Sequence, residues 1–166
     1  MEPQDITNDL ILAKKAAIDS GKFLLEEKKK VNKRTNSNSK DIKLKADVES
    51  EKIIKSIITS QSSYPILAEE TGKSSEDLGD IFWVIDPLDG TANYSRSIPI
   101  CCVSIGLVHK MKPLIGVIYD FDNDHLYAGN ILKSMSEMND LPISVSNKSE
   151  RSESILITGL PHNTDY

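Results

Sequence analysis

Apolar residues recur at helical spacing near the start of the chain. Leu10, Ala13, Ala17, Gly21 and Leu24 fall on one face, and Thr7 or Asn8 stands where it can cap the helix. The helix is expected to fade through Glu26–Arg34, where EEKKKVNKR reads as a solvated last turn and loop, with cations near the negative end of the helix dipole. Thr35–Lys40, TNSNSK, reads as a short polar loop, and Asp41–Ala46 as a short strand or hairpin edge. A second helix is expected over Val48–Thr59, with Asp47 where an N-cap sits. Ile53, Ile54, Ile57 and Ile58 supply its buried stripe, and Glu51 can pair with Lys55 at i,i+4.

Beyond Thr59 the pattern changes to strands. Ile66–Ala68 is short and apolar, and Ile81–Ile85 is a continuous apolar run ending at Asp86. Cys102–His109 and Leu114–Tyr119 are rich in β-branched residues, with Lys110–Pro113 as a hairpin turn between them. Asp120–Asp124 reads as another turn, Leu126–Ala128 as a returning strand, and Ser154–Thr158 as the start of one more. The fold class is therefore α+β: two N-terminal helices on a largely antiparallel sheet.

A length of 166 residues suits one domain with a real core, and 39% hydrophobic with 27% charged residues is an ordinary globular balance. The formal charge of −5 speaks against a nucleic-acid partner. Cys101 and Cys102 are adjacent, imply no disulfide framework and read as small apolar residues of a strand. The N-terminus lacks a secretory pattern, and no apolar run approaches the roughly 20 residues of a membrane span. A cytoplasmic location away from membranes is the expectation.

The chemistry concentrates in Asp86-Pro87-Leu88-Asp89-Gly90-Thr91. An apolar strand delivers Asp86, and Pro87 is expected to force a turn. Gly90 permits close backbone approach to a ligand, and Thr91 can cap a short helix through Ala92–Ser95, whose N–H groups suit a phosphate. Two carboxylates on such a turn can address one hard cation, for which Mg²⁺ is the natural choice. An isolated Asp-Gly is usually a plain turn. The full D-x-x-D-G-T has a chance occurrence on the order of one in a thousand in a chain of this length.

Leu67–Glu70 (LAEE), WVIDPLDGTANY and PICCVSIGL together resemble the inositol monophosphatase family of Mg²⁺-dependent, lithium-sensitive phosphatases. The resemblance reaches back to Asp47 and covers nearly the whole chain. It implies that Glu69, Asp86 and the Leu88 carbonyl hold a first Mg²⁺, and that Asp86 and Asp89 hold a second. Gly90 and Thr91 would offer N–H groups to phosphate, and Thr91 with Asp47 would orient an attacking water that Glu69 helps activate. Asp47 is equally readable as a plain N-cap, and Glu70 as a solvated or structural neighbour. Lys40 lies where family lysines approach the active-site loop, and also reads as an ordinary solvated lysine. Two or three Mg²⁺ ions, a small phosphorylated polyol or sugar as substrate, and a homodimer are the family expectations. Asn93-Tyr94 resembles the inositol phosphatase branch more than the bisphosphate nucleotidase branch, which remains an alternative.

The sequence departs from the family pattern in two places. Leu44 stands where the family commonly has Thr. The W-D-x-A-[AS]-G motif, which supplies a further Asp, does not occur, and Trp83 is the sole tryptophan. Residues 1–145 are thus expected to form the metal- and phosphate-binding domain, with 146–166 opening a C-terminal α/β half that is otherwise missing. A catalytically incompetent metal-binding fragment is the rival expectation. The haloacid dehalogenase reading fails because Pro87 occupies the nucleophile position. Asp120-x-Asp122-x-Asp124 lacks the Gly and closing Glu of an EF-hand, and His109, His125 and His162 show no zinc spacing.

Overall fold

The computed structural model of the chain describes residues 6–31 and 45–155. Helix α1 spans Thr7–Val31. Leu10 N–H donates to the Ile6 carbonyl (3.0 Å), so the cap position falls on Ile6, just ahead of the expected Thr7 or Asn8. The expected face is buried, and Ala16 and Ser20 extend it. Small side chains let this helix lie close to the sheet. A Cβ on Gly21 would come within 2.5 Å of Tyr119 Cδ1.

Helix α2 spans Lys45–Thr59 and begins earlier than expected. Asp47 accordingly lies inside its first turn rather than at the N-cap. The Asp41–Ala46 strand is corrected at its end, where Lys45 and Ala46 are helical; residues 41–44, including Leu44, lie outside the described residues, as do Lys40 and the rest of Thr35–Lys40. Ile54 and Ile58 are fully buried, and Ile57 packs at the edge of the core.

The strands are β1 (Ile66–Ala68), β2 (Gly72–Lys73), β3 (Ile81–Asp89), β4 (Cys102–His109), β5 (Lys112–Asp120), β6 (His125–Asn130), β7 (Met135–Met138) and β8 (Leu141–Pro142). They form one sheet in the order β2-β1-β3-β4-β5-β6-β7-β8. Every pairing is antiparallel except β1 with β3. That parallel pair needs a long crossover, and the segment from Glu69 to Asp80 supplies it. A four-residue helix, α3 (Thr91–Tyr94), follows β3. Ser154 and Ile155 are not extended into a strand, and the rest of Ser154–Thr158 lies outside the described residues.

Both long helices cover one face of the sheet. Val103, Ile105 and Leu107 of β4 and Ile115, Val117 and Tyr119 of β5 point into that layer, alternating with less buried neighbours. Trp83 is fully buried there, and its indole N–H reaches Ser62 Oγ at 3.0 Å. Truncating such a residue costs about 3–5 kcal/mol. Among the described residues, no helix is long and apolar enough to cross a membrane.

Candidate active site

The central motif is strand rather than turn. β3 continues through Asp86 to Asp89, and Pro87 sits in a bulge: Asp86 pairs with Ser104 and Asp89 with Cys102, one extra residue on the β3 side. A proline in a sheet is tolerated at such a place because no ladder hydrogen bond is asked of it. Pro87 and Leu88 are buried in succession, whereas Asp86 is half-buried and Asp89 exposed. Residues three apart on a regular strand face opposite ways; the bulge keeps both aspartates on the more open side.

Four segments meet around this bulge. Leu88 N–H donates to Asp86 Oδ1 (3.1 Å), fixing that carboxylate locally. Glu69 follows β1, and its N–H donates to the Ile85 carbonyl (3.1 Å). Its carboxylate charge acts on Asp86. Thr91 Oγ1 lies 3.0 Å from the Leu88 carbonyl and 3.2 Å from Asp47 Oδ1, so one hydroxyl hydrogen serves two acceptors. Asp47 is buried and Glu69 is exposed.

Gly90 makes the corner after the bulge. Its φ of 87° lies in the left-handed region, and a Cβ there would stand 2.7 Å from the Ile100 carbonyl oxygen. Gly90 thus occupies the cap position expected of Thr91, which is instead the first helical residue. Asn93 Nδ2 donates to the Ile100 carbonyl (2.8 Å), and Tyr94 Oη donates to the Leu24 carbonyl (2.6 Å) of α1. Both residues of the Asn-Tyr pair therefore anchor the corner.

Burial pushes the Asp86 carboxyl up to about 7, reinforced by the neighbouring Glu69 carboxylate and by the charge of Asp89; the Leu88 N–H opposes the rise. Burial likewise raises the Cys102 thiol to about 11, with the Asp89 and Asp86 charges adding. Cys102 Sγ lies 3.9 Å from Asp89 Oδ2. Among the described residues, no three His, Cys, Asp or Glu side chains are already gathered closely enough to hold a metal. The donor types nonetheless suit a hard divalent cation: three carboxylates and a carbonyl oxygen are hard ligands, and such an ion would offset the Glu69 and Asp89 charges that act on Asp86.

The structure thus brings Asp47, Glu69, Asp86, Leu88, Asp89, Gly90 and Thr91 into one neighbourhood. It adds Ser50 and Glu51 to the surroundings of the site. Ser50 Oγ donates to the Pro87 carbonyl (2.9 Å) inside the bulge, and Ser20 of α1 bonds Ser50 in turn. Glu51, read as the partner of Lys55, keeps that contact at 3.7 Å but is only 1% exposed and also holds the Glu70–Thr71 turn. The trace of both in the sequence is a polar stripe, Asp47, Ser50 and Glu51, at i, i+3 and i+4 on a helix whose core residues are isoleucines.

Residues 5–165 match the sequence model of the inositol monophosphatase family. An inositol-1-monophosphatase from Synechocystis sp. is 33% identical over 162 residues, covering 96% of this chain and 56% of that protein. The inositol monophosphatase structure from Anabaena (Nostoc) sp. superposes with a TM-score of 0.73 at 37% identity, over 87% of this chain and 52% of its own. The extragenic suppressor protein suhB from Bartonella henselae does so with a TM-score of 0.75 at 29% identity, over 86% and 56%. The chain thus spans about half the length of these relatives. With the match running over nearly all its residues, the chain belongs to the inositol monophosphatase family.

Proposed function

We propose that this chain carries the metal- and phosphate-binding part of a Mg²⁺-dependent phosphomonoesterase acting on inositol monophosphate or a similar small polyol or sugar phosphate. The carrying observation is the crowding of Glu69, Asp86 and Asp89, with Asp86 driven up to about 7, beside the Gly90 corner. Relatives named inositol-1-monophosphatase and inositol monophosphatase support the substrate class.

In this reading Glu69, Asp86 and the Leu88 carbonyl would hold one Mg²⁺, and Asp86 and Asp89 would serve a second. A bound Mg²⁺ lowers the pKa of its water and neutralises charge on a phosphoryl oxygen. The N–H groups of Gly90 and Thr91 meet the phosphate at a corner that only glycine can turn without strain. The Thr91 hydroxyl would keep its hydrogen bond to Asp47 and turn its lone pairs toward an attacking water. Phosphoryl transfer chiefly needs this positioning and charge neutralisation, not a protein nucleophile.

Turnover by these 166 residues alone is expected to be very low, since the further family Asp is not among them. The test is phosphate release from inositol monophosphate and from a nucleoside 3′,5′-bisphosphate, with Mg²⁺ or with chelator. Slow, Mg²⁺-dependent release favouring the inositol ester, abolished in Asp89→Asn, is the expected result. Equal release in chelator or in the variant contradicts the reading, as does no release combined with no Mg²⁺ binding.

A further inference from the structure

We propose that Glu51 is a positioning residue for the carboxylate cluster: its buried carboxylate sets the turn after β1 and thereby the place of Glu69 beside Asp86. Its consequence for metal affinity rests on the reading above; its structural content does not.

Glu51 Oε2 accepts the Glu70 N–H at 2.8 Å, and Oε1 accepts the Thr71 hydroxyl at 2.5 Å. Lys55 Nζ donates to Thr71 Oγ1 at 2.8 Å and stands 3.7 Å from Glu51 Oε1, supplying the opposite charge. A carboxylate this buried is tolerated only while such donors remain in place, so the arrangement resists deformation. An i,i+4 ion pair at the surface would need none of this and stabilises a helix only slightly.

The turn it holds contains a proposed metal ligand. The Glu69 N–H is tied to the Ile85 carbonyl of β3, and the next N–H is tied to Glu51 of α2. Glu69 itself is exposed, so these two backbone anchors aim its side chain. Along α2, Asp47 bonds Thr91, Ser50 bonds the Pro87 carbonyl, and Glu51 bonds the Glu70–Thr71 turn. One helix face thus spaces all three segments of the site.

The test compares Glu51→Ala and Glu51→Gln in the whole chain. Gln keeps an oxygen acceptor for the Glu70 N–H. Hydrogen exchange of metal-free protein reads the turn directly, and calorimetric Mg²⁺ titration reads its consequence. In Glu51→Ala the Glu69 and Glu70 amides exchange at least about tenfold faster while α1 amides are unchanged. Its Mg²⁺ affinity falls roughly tenfold to a hundredfold. Gln restores most of both. A folded Glu51→Ala with unchanged exchange at these amides, or with unchanged Mg²⁺ affinity, overturns the proposal. If the wild type binds no Mg²⁺, the metal reading fails and the exchange result alone decides the positioning role. Should Glu51→Ala not fold, Thr71→Val removes one bond at an exposed residue. It is expected to speed Glu70 exchange about threefold, and no change there overturns the proposal.

Discussion

Thr91 Oγ1 lies 3.2 Å from Asp47 Oδ1, across 44 positions of sequence. The contact joins the first turn of α2 to the corner after β3, and Asp47 is buried. Thr91→Val keeps the shape and removes the hydroxyl donor. It is expected to destabilise the chain by about 1–2 kcal/mol in urea unfolding, whereas Thr91→Ser stays close to wild type. Equal stability of Val and Ser variants would mean that the contact contributes nothing.

Gly90→Ala places a Cβ 2.7 Å from the Ile100 carbonyl at a φ of 87°. A loss of about 1–3 kcal/mol is expected. Gly116→Ala is the control, since no atom lies within 4 Å of its added Cβ. A chemical denaturation curve for each variant separates the two cases.

Gly21→Ala reverses a familiar rule. Alanine favours a helix interior over glycine by about 1 kcal/mol. Here the added methyl meets Tyr119 Cδ1 at 2.5 Å and Phe121 Cβ at 2.9 Å. Net destabilisation of about 1–3 kcal/mol is expected from overpacking between α1 and β5. A rise in thermal midpoint would contradict the packing of α1 on Tyr119.

Asp86 makes stability depend on pH with a definite sign. Its folded value of about 7 exceeds the ordinary 3.8, so the folded chain binds more protons than the unfolded one between those values. Stability contributed by this group is therefore present at low pH and lost as pH rises through about 7. In chelator, wild type is expected to lose more stability than Asp86→Asn between pH 5 and 8. Denaturant midpoints at the two pH values check the difference, and a steeper loss in the variant would contradict it.

Burial also holds the thiols protonated, Cys101 at about 12 and Cys102 at about 11. Thiolate is the reactive form. Alkylation by iodoacetamide at pH 8 in the folded chain is expected to be far slower than after urea unfolding. Equal rates, followed by mass spectrometry, would contradict this.

The elements most legible in the sequence were those with a strong apolar period. Leu10 to Leu24 and the β-branched runs of β4 and β5 each carry an unambiguous repeat. The central motif was legible as chemistry but misread as geometry. Pro87 suggested a turn, and only pairing with β4 reveals a bulge that keeps Asp86 and Asp89 on one side. The start of α2 was misplaced because Asp47 is a favourable cap residue locally, whereas its side chain is used by Thr91 at long range. Ser50 and Glu51 stayed hidden for the same reason: a polar residue on a helix reads as solvated until the segments that cover it are known. β2, β7 and β8 are short strands of two to four residues near the two ends of the sheet, with too little repeat to announce themselves.

The most direct measurement of the central reading is calorimetric titration of Mg²⁺ into the chain near pH 8, comparing wild type with Asp86→Asn and Asp89→Asn. The expected result is saturable binding by wild type, lost or weakened roughly tenfold or more in Asp86→Asn and also reduced in Asp89→Asn. No binding by wild type, or equal binding by all three, would contradict a cation site built from Glu69, Asp86 and Asp89.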